Sequence, residues 1–275
     1  MGSLDGRVAL ITGASRGIGK GIALAMAKAG ADIAVNYHQN KKAAQQTVRE
    51  IKALGRKAIS LQANTSDFES VKKMVDKAAE TLGKLDIVVA NGGHYRSGSF
   101  FDDNAADVLN DIMAIHFYGY FYTAKAAEPY LRQNKRSDIQ FITSLATQQY
   151  FADEWAYATA KKAIETMTKC IAKDANKYGV RVNCIAPSVT DTDMSRDGFA
   201  SIFSFDDPDV LKHVPYGRFI QPRDIGNLCV FLASDEAYLI NGQVIWVDWG
   251  IGPGSILSYI PRKNKGALKS GSQRG

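Results

Sequence analysis

The stretch WAYATAKKA, Trp155 to Ala163, sets a tyrosine and a lysine four residues apart, Tyr157 and Lys161. On a helix the two share a face. A free phenol ionises near pH ~10, and an ammonium one turn away favours the phenolate, so the pair is a candidate for moving a proton. A second chemistry-bearing stretch is TGASRGIG, in which Gly13, Gly17 and Gly19 permit a tight turn and a close approach of backbone to a ligand. A helix opening there would turn unpaired N–H groups and its positive dipole end toward a pyrophosphate. The residues after Ala34, Val35-Asn36-Tyr37-His38-Gln39-Asn40-Lys41-Lys42, hold no carboxylate. An acid at that place serves a ribose 2′-hydroxyl and repels a 2′-phosphate. Arg16, inside the glycine turn, offers a fork of donors to a phosphate, and Asn36, His38 or Lys41 can add to it. The expected cofactor is NADP(H) rather than NAD(H).

The elements that must hold these residues are legible as an alternation. Strand-like runs are RVALIT, ADIAVN, KAISLQ, LDIVVA, SDIQFIT, VRVNCIA and QVIWVD. Between them lie segments such as GIGKGIALAMAKAG, KKAAQQTVREIKALG and FESVKKMVDKAAETLG, whose apolar residues recur every three or four positions. Gly30, Gly55, Gly83 and Gly179 each follow such a segment, where a helix C-cap is expected. Apolar strands alternating with helices imply a parallel sheet covered on both faces. The prediction is one doubly wound, Rossmann-like α/β domain over residues 1–254, with about seven strands, followed by a basic tail over 255–275. Functional residues should then fall just after strands, at their carboxyl ends.

Composition narrows the function classes. The chain has 275 residues, of which 45% are hydrophobic and 23% charged, the profile of a globular protein with a sizeable core. The net charge of +6 is concentrated: Arg262, Lys263, Lys265, Lys269 and Arg274 leave the body near neutrality, which argues against a nucleic-acid surface. No apolar run approaches the roughly 18 residues that span a bilayer. The start MGSLDGRVALITG reads without a secretion signal, and Gly6 stands where N-myristoylation needs Ser or Thr. Cys170, Cys184 and Cys229 lack CxxC spacing, and His38, His94, His116 and His213 are dispersed, so neither a disulfide nor a metal site is expected. A reducing, cytoplasmic setting fits.

Taken in order, these motifs resemble those of the short-chain dehydrogenase/reductase family from Asp5 to about Gly250. TGASRGIG resembles TGxxxGIG, Ala90-Asn91-Gly92-Gly93 resembles NNAG, and Tyr157-x3-Lys161 matches YxxxK. Ser144 lies 13 residues before Tyr157, the family spacing for its serine, and Ala186-Pro187-Ser188-Val189-Thr190-Asp191-Thr192 resembles the segment that contacts the nicotinamide. The resemblance implies an oxidoreductase that transfers a hydride between NADPH and a ketone or secondary alcohol, with Tyr157 as acid/base. Lys161 would lower the phenol's pKa and hold the nicotinamide ribose, and Ser144 would orient the substrate oxygen. The implied cofactor set is Gly13, Ser15, Arg16, Gly17, Ile18, Gly19, Asn36, Tyr37, His38, Asn64, Thr65, Asn91, Gly92, Gly93, Tyr157, Lys161, Pro187, Val189, Thr190 and Thr192. Asn64 replaces a common Asp, Ser188 a glycine and Trp249 a glycine. His116 falls where the family has a catalytic asparagine, and as a donor and acceptor it could replace that relay or merely fill space in a distorted helix.

The segments expected to carry specificity are aromatic. His94, Tyr95, Tyr150, Phe151, Phe199 and Phe203, with Phe205 and Trp155 nearby, would suit an apolar or ring-bearing ketone or fill helix-packing positions instead. The stretch around Gly198 could form a mobile lid. Two rivals remain: a 3-oxoacyl-(acyl-carrier-protein) reductase, with Arg132, Lys135 and Arg136 receiving the acidic carrier, and a non-enzymatic NADP(H)-sensing protein. By resemblance the chain would form a homodimer or homotetramer; the tail runs past the usual family end and would be partly disordered or dock on a neighbouring subunit through Ile256, Leu257, Tyr259 and Ile260. Membrane and nucleic-acid partners are not expected.

Overall fold

The structure, a computed structural model, describes residues 2–254, 256–258 and 260. Seven strands alternate with helices: β1 Val8–Ile11, α1 Gly17–Lys28, β2 Asp32–Tyr37, α2 Lys41–Ala53, β3 Ala58–Gln62, α3 Phe68–Leu82 and β4 Ile87–Ala90. There follow α4 Ala105–Ile112, a π-helical turn Met113–Tyr118, α5 Gly119–Leu131, β5 Ser137–Ile142, α6 Ala146–Gln149, α7 Trp155–Ala175 and β6 Val180–Pro187. The last elements are α8 Asp193–Phe199, α9 Pro208–Leu211, α10 Pro222–Ala233 and β7 Val244–Val247. The strands form one parallel sheet in the order β3-β2-β1-β4-β5-β6-β7. The order reverses between β1 and β4, which opens the crevice where ligands of such sheets bind.

The strands read as unbroken apolar runs because both faces are covered: every residue of β1, β4, β5 and β6 is buried. Helices bury one stripe only. In α2 it is Ala44, Thr47 and Ile51, and in α3 it is Val71, Met74, Val75, Ala78 and Ala79. The side chain of Asp67 accepts hydrogen bonds from the Glu69 and Ser70 amides to start α3, and Gly83 ends it in the left-handed region. Helices α1 and α10 cross at glycines: a Cβ on Gly226 would lie 2.7 Å from the Gly21 carbonyl oxygen.

One expectation about the chain's end is corrected. Ile256 and Ile260 are buried in this chain's own cluster with Phe203, Phe205 and Phe219, beneath α8 and α9, rather than held out for a neighbour. Trp249 likewise packs locally, against the edges of two core clusters. Tyr259 and the basic residues from Arg262 onward lie outside the described residues. Among the described residues, no helix is long and apolar enough to cross a membrane.

Candidate active site

The glycine turn follows β1 and is pinned from both neighbouring strands. From β2, the Asn36 side-chain oxygen accepts the Gly13 amide at 3.1 Å, and the Asn36 carbonyl accepts the Ala14 amide at 2.9 Å. From the end of β4, Asn91 donates its side-chain amide to the Thr12 carbonyl at 3.0 Å, and the Thr12 hydroxyl accepts the Asn91 and Gly92 amides at 2.9 and 3.0 Å. Gly13 has φ +63°, and a Cβ there would lie 2.7 Å from Gly92 Cα. Helix α1 then starts with extended Arg16 and no side-chain cap, so its first amides are left for a ligand. Thr192, the N-cap of α8, reaches the same turn: its methyl group would lie 3.5 Å from a Cβ on Gly17.

These contacts sort the expected cofactor residues. Asn36 is corrected: it is 2% exposed, and its amide nitrogen faces the carbonyls of Tyr37, Leu61 and Ala63, each at 3.3 Å. It builds the turn and has nothing left for a phosphate. Tyr37 is corrected too, being buried in the core. His38 at the end of β2 and Arg16 are exposed, and Arg16 makes no side-chain hydrogen bond or ion pair among the described residues. Asn64 spends its side-chain oxygen on the Ser66 amide and hydroxyl, at 3.2 and 2.9 Å, and Thr65 lies against Gly119. Asn91 acts on the turn through its amide. Thr190 is buried, with its hydroxyl on the Ser188 carbonyl at 3.0 Å, and Pro187 ends β6. Gly92 lies against Gly13 and Gly93 against His116, while Ile18 and Val189 pack on the edges of separate core clusters.

The candidate reacting groups gather two strands over, at the end of β5. Beyond β5, the Thr143 and Leu145 amides continue the ladder to the Ile185 and Pro187 carbonyls, which fixes Ser144 between them. Helix α7 carries Tyr157 and Lys161 toward that strand end. Its small Ala156 and Ala160 let it pack close to Val108 and Ile112 of α4. The Ser144 side chain lies beside the Tyr157 phenol and favours its ionised form. Lys161, 3% exposed, lies 5.6 Å from the Tyr157 ring centroid.

The electrostatics differ from the sequence expectation. Burial outweighs the effect of Ser144 and pushes the Tyr157 phenol up to about 12, with the charge of Glu154 adding to it. Burial likewise pushes the Lys161 ammonium down to about 7. The chain's own residues therefore keep the phenol loaded with its proton near neutrality.

His116 lies in the π-helical turn, buried, with Nε2 at 2.6 Å from the His94 carbonyl and its ring edge-on to Tyr157 at 5.1 Å. That carbonyl can only accept, so Nε2 carries the hydrogen and Nδ1 is the bare nitrogen. Nδ1 is buried without a hydrogen-bond partner among the described residues. Burial, and secondarily the Lys161 charge, hold this imidazole well below its ordinary pKa, so it stays neutral.

Sequence reasoning missed Tyr120. It is 1% exposed and accepts a hydrogen bond from Lys161 Nζ at 2.8 Å. Its only sequence signal is its place four residues after His116 on one helical face; nothing in the pattern says that it meets a lysine 41 residues away.

On the substrate side, the Tyr95 ring lies edge-on to Tyr157 at 6.1 Å, and its hydroxyl donates to Glu154 at 3.0 Å. His94 pairs with Asp111 at 2.8 Å, Phe151 and Phe199 are half-buried, and Tyr150 is exposed with φ +50°. Phe203 is corrected: at 1% exposure it stacks on Phe219 at 5.3 Å and belongs to the core under α8 and α9. Arg136 is corrected as a docking residue. It sits just before β5, at the sheet end opposite the site, where it binds the Ala233 and Ser234 carbonyls and Asp235. Arg132 pairs with Glu128 at 3.1 Å.

A family described as Enoyl-(Acyl carrier protein) reductase matches residues 13–252. The chain is 37% identical over 255 residues to a versicolorin reductase of Emericella nidulans, covering 90% of this chain and 96% of that one. It is 32% identical over 249 residues to a hydroxynaphthalene reductase of Aspergillus fumigatus, covering 87% and 90%. The structure superposes with TM-score 0.81 on a short chain dehydrogenase of Burkholderia cenocepacia in complex with NADP, at 34% identity, covering 90% and 98%.

Proposed function

The chain belongs to the short-chain dehydrogenase/reductase family of oxidoreductases, and we propose that within it this protein reduces an apolar or ring-bearing ketone with NADPH, using Tyr157 as the acid. The observation that carries the reading is the assembly of Ser144, Tyr157 and Lys161 at the end of β5, two strands from a pre-built glycine turn. When bound, a nicotinamide cofactor supplies the hydride. The glycine turn and the first amides of α1 would hold its pyrophosphate, and Thr192 would face its carboxamide. Arg16 and His38, exposed beside an acid-free strand end, would take the 2′-phosphate.

The chain's residues account for the proton. Ser144 donates a hydrogen bond to the substrate oxygen and fixes its distance from the phenol. Tyr157 passes its proton to that oxygen as negative charge builds there. A charged Lys161 stabilises the phenolate left behind. His116 Nδ1, a neutral buried acceptor, is the group that would anchor a proton path where relatives use an amide. Tyr95, Phe151 and Phe199 supply the apolar wall, and similarity to a versicolorin reductase and a hydroxynaphthalene reductase supports a ring-bearing carbonyl. Exposed Tyr118 and Phe121 support pairing of copies along α5.

The test is titration of the protein with NADPH and with NADH by tryptophan fluorescence, then a screen of ketones beginning with 2-tetralone. Tighter NADPH binding and turnover that Tyr157→Phe lowers at least ~100-fold are expected. Binding of neither cofactor overturns the reading and leaves a protein that kept only the fold.

A further inference from the structure

An ammonium has three hydrogens to place, and a buried one must place them on protein or ligand. Lys161 gives one to the Tyr120 phenol oxygen at 2.8 Å and one to the Ile142 carbonyl at 2.8 Å. Tyr120 gives its own hydrogen to the same carbonyl at 3.0 Å. The three groups close a triangle at the end of β5, with the phenol held flat against Phe141 at 6.1 Å between ring centres. Among the described residues, Tyr120 is the one side chain that accepts a hydrogen bond from Lys161.

We infer that Tyr120 is a positioning residue for Lys161: its phenol oxygen supports the ammonium from behind and leaves the third hydrogen for the side that faces Tyr157. The inference rests on the reading of Tyr157 and Lys161 as the acid/base pair. Tyr120 does not pass a proton onward, because its hydrogen goes to an amide carbonyl, and burial with the nearby Tyr157 keeps the phenol well above its ordinary pKa. Its work is electrostatic, a lone pair aimed at a cation that burial disfavours.

The other groups around Lys161 leave it the sole charge there. Tyr157 on α7 is protonated near neutrality, the Cys184 thiol on β6 is pushed up to about 12 by burial, and His116 in the π-helical turn is neutral. Glu165, one turn along α7, spends its carboxylate on Thr147 and Lys162 at 2.6 and 2.8 Å.

The experiment follows Lys161 directly, in protein carrying 13C- and 15N-labelled lysine, with the resonance assigned by its loss in Lys161→Met. The variant is Tyr120→Phe, which keeps the ring against Phe141 and removes one oxygen. A charge-assisted hydrogen bond to a buried cation corresponds to about one pH unit, so the Lys161 titration should move down by about one unit. In NADPH-driven turnover of 2-tetralone, kcat at pH 7 should fall about fivefold with KM within twofold, and the alkaline limb should move down with the titration. Tyr120→Met is the second variant should Tyr120→Phe fail to fold, and the same downward shift is expected of it. An unchanged Lys161 titration in a folded variant overturns the assignment. A wild-type protein that turns over no ketone sinks the reductase reading, while a shifted lysine titration still supports the contact.

Discussion

Replacing Asn36 with aspartate separates two accounts of that residue. If it faced the cofactor, Asn36→Asp would place an acid at the 2′-position and turn the protein toward NADH. The structure instead points its amide nitrogen at three buried carbonyls and its oxygen at the Gly13 amide. A carboxylate oxygen in place of that nitrogen would face only acceptors, so burial and the carbonyl dipoles would raise its pKa by about three units from ~3.9, to roughly 7. The folded state then prefers the protonated acid while the unfolded chain ionises freely. The variant's stability is therefore least affected below pH ~4 and falls as pH rises toward ~7. At ~1.4 kcal/mol per unit the added loss is about 1.5 kcal/mol at pH 5 and about 4 kcal/mol at pH 7.5. Thermal denaturation of wild type and variant at those pH values should show the gap in Tm widening by about 5–10 °C. A gap that stays constant with pH, or a stable variant that gains NADH preference, would refute the placement of Asn36.

Three further outcomes are expected. Arg16→Ala should weaken NADPH binding about tenfold or more and leave NADH binding nearly unchanged in the same fluorescence titration, because the guanidinium has no other partner among the described residues. Lys161→Met should abolish reduction yet raise Tm at pH 7 by about 4–8 °C, from removal of an amine whose burial costs about 2 kcal/mol net. Burial lowers the Lys161 pKa to about 7, so the wild type loses stability as pH falls from about 10 to about 7 and levels off below that; the Met variant's advantage should be largest near pH 6 and shrink toward pH 10. Gly226→Ala should cost about 1–3 kcal/mol, since its methyl would meet the Gly21 carbonyl oxygen at 2.7 Å where α1 and α10 cross; urea denaturation measures it.

The sheet was legible because parallel strands covered on both faces read as apolar runs: five of the seven runs contain the strand found, and the other two stop one residue short, before Tyr37 and Pro187. The glycine turn and the Tyr157–Lys161 pair were legible because both are local: one is a turn before a helix, the other two residues on one helical face. What local pattern does not carry is direction of burial. Asn36 and Arg16 looked alike as polar neighbours of a phosphate, yet one side chain points under the turn and the other out of it. Phe203 and Phe199 looked alike as pocket aromatics, yet only the contacts with Phe205, Phe219 and Ile256 put Phe203 in a core. Tyr120 was invisible for a related reason, since its partner arrives from another helix across the end of β5.

The polar groups buried around the site divide its two halves. On the cofactor side, Asn36, Asn91 and Thr12 tie the glycine turn to β2 and β4 with bonds of 2.9–3.3 Å, leaving little backbone to order when a ligand arrives. On the substrate side, α8 and α9 ride on an aromatic cluster joined to the strands mainly through side chains, and Arg196 spans Asp191 and Asp206 on their surface at 2.6 and 2.5 Å. A pre-tied turn binds its ligand without a folding cost, whereas a helix pair held by side chains can shift as a unit. Cofactor affinity should therefore follow single contacts such as Arg16, and substrate choice should follow how α8 and α9 settle.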